Sequence, residues 1–293
     1  MSDRGGRLKT LVGRVDWVFV AIVAAIAGIG IVNLASASQA TGLSFHLTQL
    51  VWFLLGLGVL SVMSLFDYRV FERWAYILFG AVALLLLGVL VVGTELNGSR
   101  RWLNFGFFLM QPSELLKIAV ILVTGRYFQD NSRADSHGLR DLVVPFGLVG
   151  GSVFLVIQQP DLGTSLVILI IFFSMVLFEG LKKTSIVVLA LVALTAVPVG
   201  WNFGMHDYQK QRVLAFLNLE SDQYGASWQV RQSVIAFGSG QFWGKGHAEG
   251  TQVKKGFVPE SENDFIAANW GEEHGFSGMV LLLGLYAALI GRC

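Results

Sequence analysis

An aspartate followed by unbroken apolar residues, two adjacent arginines, a Glu–Lys pair three residues apart and an Asp behind Gln-Gln-Pro are where this chain could do chemistry. The aspartate is Asp264, in Pro259-Glu260-Ser261-Glu262-Asn263-Asp264-Phe265-Ile266-Ala267-Ala268. Asn263 or Asp264 could cap the helix predicted through Phe265, Ile266, Ala268 and Trp270 towards Glu272 and Glu273, which is a common use of such residues. Partial burial would instead fit Asp264 for general-base work near neutrality.

Asn97-Gly98-Ser99-Arg100-Arg101-Trp102 offers two guanidiniums, suited either to lipid head groups or to a pyrophosphate-bearing substrate. Gln111-Pro112-Ser113-Glu114-Leu115-Leu116-Lys117-Ile118 reads as a helix start. Pro112 suits the first turn, Ser113 can cap, and Glu114 favours the positive end of the dipole. Glu114 and Lys117 share a helix face and can pair. Such a pair either ties two helices together or lines a polar cavity that receives a substrate. In Gln158-Gln159-Pro160-Asp161-Leu162-Gly163-Thr164-Ser165, Pro160 ends one helix and Asp161 can cap the next. Gln158, Gln159, Asp161, Thr164 and Ser165 are equally the polar set that an outward-facing cavity would present.

The elements that must carry these residues follow from composition. Of 293 residues, 54% are hydrophobic and 14% charged, against about 25% charged in soluble domains. A formal net charge of +1 with no basic block argues against disorder and nucleic-acid binding. The single cysteine, Cys293, allows no internal disulfide and no multi-Cys metal site. The 22 Phe, 8 Trp and 34 Gly suit close-packed helices with aromatic anchors in lipid.

A helix needs about 20 apolar residues to cross the hydrocarbon. Trp17–Phe66 holds no charged residue, and its polar stretch Ser36–Thr48 divides it in two. Further runs are Trp74–Thr94, Phe107–Thr124 (broken by Lys117), Leu142–Gln159, Leu162–Phe178, Thr184–His206 and Gly275–Gly291. The expectation is an all-α polytopic membrane protein with about eight transmembrane helices. Arg4, Arg7, Lys9 and Arg14 precede the first run without a small-residue cleavage site, so that run reads as a retained helix. With this end inside, the inner loops hold Arg69, Arg73, Arg126, Arg133, Arg140, Lys182 and Lys183, while the short outer loops hold only Arg100 and Arg101. That asymmetry sets the orientation, and the long outer loop His206–His274 escapes the rule. Its mixed apolar and glycine content predicts a segment folded back on the membrane surface. Trp228–Phe237 reads as a short amphipathic helix there, ended by Gly238-Ser239-Gly240.

Taken in order, these segments resemble the SEDS family of polytopic cell-wall polymerases. The resemblance is carried by Gly98-Ser99-Arg100-Arg101-Trp102, Gln111-Pro112-Ser113-Glu114 with Lys117, and Gln159-Pro160-Asp161-Leu162-Gly163-Thr164-Ser165. It continues through Gln211-Arg212-Val213-Leu214-Ala215-Phe216-Leu217, Ser233 to Gly246, and Pro259-Glu260 through Asp264-Phe265-Ile266 to Glu272-Glu273 and Gly275. Gly-Thr-Ser after Asp161 and the Gln-Arg-Val-Leu segment look more like the RodA branch than the FtsW branch. The resemblance implies a ten-helix SEDS-like bundle, of which this sequence would lack the last two helices. It also implies that 1–293 is a single transmembrane domain, with the extracytoplasmic loop 206–274 carrying the active site. One departure is Glu262-Asn263 and Ala267, where the family usually has His-Thr before its Asp and Phe after Ile.

The activity implied is glycosyl transfer, in which lipid II is polymerised into a β-1,4 glycan in the bacterial inner membrane. Asp264 would be the base. Arg100, Arg101, Lys117 and Arg212 are the cations available for the departing pyrophosphate, whose oxygens a divalent cation (Mg or Mn) could also bridge. Glu114 would orient Lys117, and Asp161 would hold the turn at the cavity rim. The implied partner is a class B penicillin-binding protein, a transpeptidase. A flippase of lipid-linked precursors would need the same cations without the base, and a scaffold would need neither.

Overall fold

The computed structural model describes residues 15–39, 44–96, 99–106, 108–132, 136–205, 207–217, 226–258 and 261–293. Seven of their helices are long and apolar enough to cross a membrane: Trp17–Ala37, Phe45–Met63, Tyr68–Val92, Leu139–Ile157, Leu162–Glu179, Lys183–Asn202 and Ile266–Arg292. The fold is that of a polytopic helical membrane protein, and its contacts sort into two compact units.

The first unit comprises residues 1–62 and 203–293. Its described helices are α1 (Trp17–Ala37) and α2 (Phe45–Met63) from the first stretch of chain. The second stretch supplies one helix at Asp207–Leu217, another at Ala226–Ser239, the single turn Thr251–Lys254 and the long helix Ile266–Arg292. Asp16 starts α1 by accepting the Phe19 N–H at 3.1 Å. The division expected within Ser36–Thr48 is found there: α1 ends at Ala37 and α2 begins at Phe45, with Ser36 buried in the last turn of α1. The long helix Ile266–Arg292 packs on α1 and on Ala226–Ser239.

The second unit, residues 63–202, opens with α3 (Tyr68–Val92) and a small antiparallel meander, β1 (Thr94–Leu96), β2 (Ser99–Asn104) and β3 (Leu109–Met110). Then follow α4 (Pro112–Asp130), α5 (Val143–Ile157), α6 (Leu162–Glu179) and α7 (Lys183–Val199), which runs into a π-helical turn at Gly200–Gly204. The meander interrupts the run of helices, and it displaces the start of the expected fourth span, Phe107–Thr124. Helix α4 begins instead at Pro112, with Glu114, Lys117, Arg126 and Asp130 on its surface. Its apolar face serves the protein: Leu116, Ala119, Val120 and Val123 are buried with Leu86, Val149, Ile168 and Phe172 in one core. At the other end of α4, Arg126 binds Glu72 of α3 at 2.6 Å and Asp130 at 2.8 Å.

Numbered in chain order, the later helices of the first unit are α8 (Asp207–Leu217), α9 (Ala226–Ser239), α10 (Thr251–Lys254) and α11 (Ile266–Arg292).

Candidate functional site

In the first unit, the polar residues gather where α11 bends. Gly275 has φ +65°, which breaks the helical ladder. A Cβ there would collide with the Gly244 amide and the Phe242 carbonyl. The freed groups are taken up by the preceding loop. Lys245 and Gly246 N–H donate to the carbonyls of Glu272 and Glu273, each at 3.0 Å. Phe276 and Ser277 N–H donate to the carbonyls of Gln241 and Phe242, at 2.8 and 3.0 Å. The glycine-rich stretch after α9 is thus fitted to the kink, which no buried backbone group could survive without such partners.

Two carboxylates sit just before that bend. Glu272 has no exposed surface and collects donors from the loop: Lys245 Nζ at 2.6 Å, Thr251 N–H at 2.9 Å and Gln252 N–H at 3.0 Å. The hydroxyls of Thr251 and Ser239 add longer bonds at 3.2 and 3.3 Å. Glu273, also buried, accepts from the Ser36 hydroxyl of α1, and His247 Nδ1 lies 3.4 Å from its second oxygen. Higher on the same face, Asn33 of α1 donates to the Ile266 carbonyl and accepts from Asn269 Nδ2, both at 2.8 Å.

Asp264 stands in the turn 261–265 that leads into this fastened helix. Two expectations about it fail. The helix begins at Ile266 with Phe265 in the cap position, so neither Asn263 nor Asp264 stands at the cap. Nor is Asp264 partly buried: it is exposed, as is Asn263, in a turn whose first residue, Ser261, is buried. Beside the turn, a cavity of about 310 Å³ is lined by Ile26, Gly30 and Ile31 of α1, Gln49 and Phe53 of α2, and Glu262. Arg212 belongs to α8, but its side chain lies outside the described residues, as do Pro259 and Glu260.

In the second unit, Asp161 caps α6, accepting the Thr164 N–H at 3.2 Å and its hydroxyl at 2.9 Å. Gln111, the residue before α4, donates to Asp161 Oδ2 at 3.2 Å, the oxygen that also takes the Thr164 hydroxyl. The Arg101 guanidinium reaches over from β2. It donates to the carbonyls of Gln159 (3.0 Å) and Pro160 and stands 3.8 Å from Asp161. Gln159 is buried and donates to the Leu86 carbonyl at 3.2 Å, and Ser165 bonds back to the Asp161 carbonyl at 2.7 Å. The capping turn expected here is formed.

Arg100, the neighbour of Arg101 on β2, points the other way and meets Glu95 across the strand pair, at 3.5 Å with both side chains more than half exposed. Lys117 and Glu114 pair at 2.8 Å on the accessible face of α4. Ser113 does not cap that helix: Gln111 occupies the cap position and Ser113 is buried. Among the described residues no group of three or more His, Cys, Asp or Glu side chains is placed to hold a metal ion.

Sequence reasoning passed over Asn33, Ser36, Lys245 and Asn269. Their signal was present. Asn33 and Ser36 are the polar side chains of an otherwise apolar membrane-length helix, three apart and so on one face.

The family model described as cell cycle protein, FtsW/RodA/SpoVE, matches residues 16–293. Peptidoglycan glycosyltransferase MrdB of Escherichia coli K12 is 39% identical over 238 residues, which are 81% of this chain and 64% of that protein. The chain thus spans a little under two thirds of this curated relative. A probable peptidoglycan glycosyltransferase FtsW of Tolumonas auensis is 33% identical, over 93% of this chain and 73% of its own length. Among solved structures, a chain from a peptidoglycan synthase complex that coordinates polymerization and crosslinking superposes with TM-score 0.76 at 34% identity, covering 95% of this chain and 77% of that one. The rod shape determining protein RodA of Thermus thermophilus gives 0.64 at 31% identity, covering 95% and 74%.

Proposed function

The chain belongs to the FtsW/RodA/SpoVE family of cell cycle proteins, and from that premise we propose that it is a peptidoglycan glycosyltransferase polymerising lipid II into β-1,4 glycan strands. The observation that carries the reading is an exposed carboxylate, Asp264, on a turn whose following helix is anchored by buried hydrogen bonds. A general base must be reachable by substrate yet held in place, and worth about 10²–10⁴-fold in rate when it is. Asp264 takes the proton from the acceptor sugar hydroxyl. The oxygen attacks the donor's anomeric carbon, and the bond from that carbon to the lipid pyrophosphate breaks. Since the protein leaves Asp264 exposed, the bound substrate supplies the desolvation that burial was expected to give.

The departing phosphates need positive charge. Arg100 and Lys117, each with one carboxylate neighbour and accessible surface, are the free-standing choices. Arg101 and Asp161 hold the turn at the rim through their mutual contacts. The side chain of Arg212 is assigned the same phosphate-binding role on family grounds. Glu262 makes one end of the cavity beside the turn acidic, which suits neutral sugar hydroxyls better than phosphate.

The MrdB and FtsW names of the relatives support this activity. The neighbour from a synthase that also crosslinks supports a transpeptidase partner, a class B penicillin-binding protein. The charge asymmetry of the loops supports a multi-pass location in the bacterial inner membrane. The N-terminus is then cytoplasmic, and residues 206–274 lie outside as part of a single SEDS-like domain.

The test is lipid II polymerisation by the purified protein with its transpeptidase. Asp264→Asn should remove glycan product while lipid II binding stays within about threefold, because only the proton transfer is lost. Equal product from the variant would overturn the assignment.

A further inference from the structure

We propose that Asn33 and Ser36 of the first helix are positioning residues for Asp264: they fix the axial register and rotation of α11, and so the place at which the turn before it presents its carboxylate. This rests on the reading of Asp264 as the base.

Both residues are buried, on the same face of α1. Their partners on α11 are Ile266, Asn269 and Glu273, spaced by three and four residues and therefore one stripe along two turns. Asn33 uses both ends of its amide, donating to the Ile266 carbonyl and accepting from Asn269. The bonded carbonyl is at the first residue of the helix, two residues from Asp264. Around these contacts the fully buried apolar side chains are small, Ala37, Ala236, Val258 and Ala268, with the partly buried Phe265 and Ile266 packed against them. Small apolar surfaces hold helices together in lipid without choosing one register, whereas a buried amide pair has partners in one register only. A slip of one residue would strand Asn33, Asn269 and Glu273 together. A shift of about 1 Å at a catalytic group is enough to cost roughly 100-fold in rate.

A purely structural role would predict that replacing the polar pair by a matched apolar pair is harmless. That is the discriminating substitution. Asn33→Leu with Asn269→Leu in the whole protein should keep thermal unfolding in detergent within a few degrees. It should lower kcat for lipid II polymerisation by roughly 10- to 100-fold, with KM changed less than threefold. Amide hydrogen exchange over residues 261–269 should accelerate in the same variant. Ser36→Ala, a smaller disturbance, should move kcat and exchange in the same direction by less, and it serves if the double variant folds poorly. Unchanged kcat in a folded variant overturns the proposal, and so does a kcat loss without faster exchange at 261–269. Asp264→Asn is assayed beside them. If it stays active, the base assignment fails, while the exchange data still report whether Asn33 sets that turn.

Discussion

Residues 63–202 pack around Leu86, Leu116, Val120, Ile168 and Phe172, side chains with no exposed surface drawn from α3, α4 and α6. Residues 15–62 and 203–293 bury a far smaller apolar cluster, and α2 buries no residue at all. What α1, α11 and the loop after α9 share instead is a run of polar contacts to buried side chains: Asn33 with Asn269, Ser36 with Glu273, and Lys245 with Glu272. Lipid is as apolar as leucine, so helices within it gain little from the hydrophobic effect. They are held by close packing or by hydrogen bonds that have no competitor. One region uses mainly the first and the other mainly the second. The region built on hydrogen bonds is the one that carries Asp264, where a defined register matters more than tight cohesion.

The difference can be broken from either side. Phe172→Ala removes the largest fully buried side chain of the 63–202 core, which stacks edge-on with Phe146. A loss of about 4 kcal/mol is expected, as for large-to-small changes in well-packed cores. Denaturant titration of the detergent-solubilised protein would register it. In the other region, Lys245→Met leaves Glu272 with no exposed surface and no cation beside it. The cost should be about 3 kcal/mol, the usual result of stripping one partner from a buried pair. Glu272→Gln should cost less, because the remaining Lys245 is partly exposed and can turn to water. If Glu272→Gln proved the more damaging, the loop after α9 would be held by Glu272's backbone donors more than by the ion pair.

These expectations show which parts of the chain declared themselves in sequence. The spans were legible because charge-free length is nearly sufficient to place a helix in lipid. The start of the fourth was misplaced because Leu109–Met110 pairs as β3 with β2, and a window of hydropathy cannot tell an apolar strand residue from a helical one. The Asp161 turn was legible because capping is local: Asp161 and Thr164 are three residues apart. Arg101 closing over Gln159 and Pro160 was not, since those partners lie 58 and 59 residues away. The polar contacts of α1 with α11 are longer still in sequence, 233 residues for Asn33 and Ile266. Only the presence of an amide in an apolar helix announced that a partner must exist; its identity needed the fold.

Asp161→Ala tests the polar rim of the region that otherwise relies on packing. It removes the α6 cap and an acceptor for Gln111, and leaves Arg101 its two carbonyls. About 1.5 kcal/mol is expected, in the range for a lost cap and one further hydrogen bond. Faster proteolysis or exchange confined to 158–165 would mark the effect as local.

The smallest effect on stability should come from Lys117→Ala, and the contrast with its effect on activity is what makes it informative. Lys117 pairs with Glu114 one turn away on the same helix, with the Glu114 side chain more than half exposed. Pairs of that kind contribute under about 1 kcal/mol, so thermal unfolding should barely move. Were the pair there only to tie helices together, activity would follow stability and also stay put. Under the glycosyltransferase reading, Lys117 holds phosphate charge as it builds on the leaving group, and kcat for lipid II polymerisation should fall at least tenfold. Lys117→Arg, which keeps the charge, should recover part of that rate, and Glu114→Gln should lie between the two. A Lys117→Ala protein that polymerises at the normal rate would leave the 63–202 region with a supporting role and place the burden of catalysis on the Asp264 side.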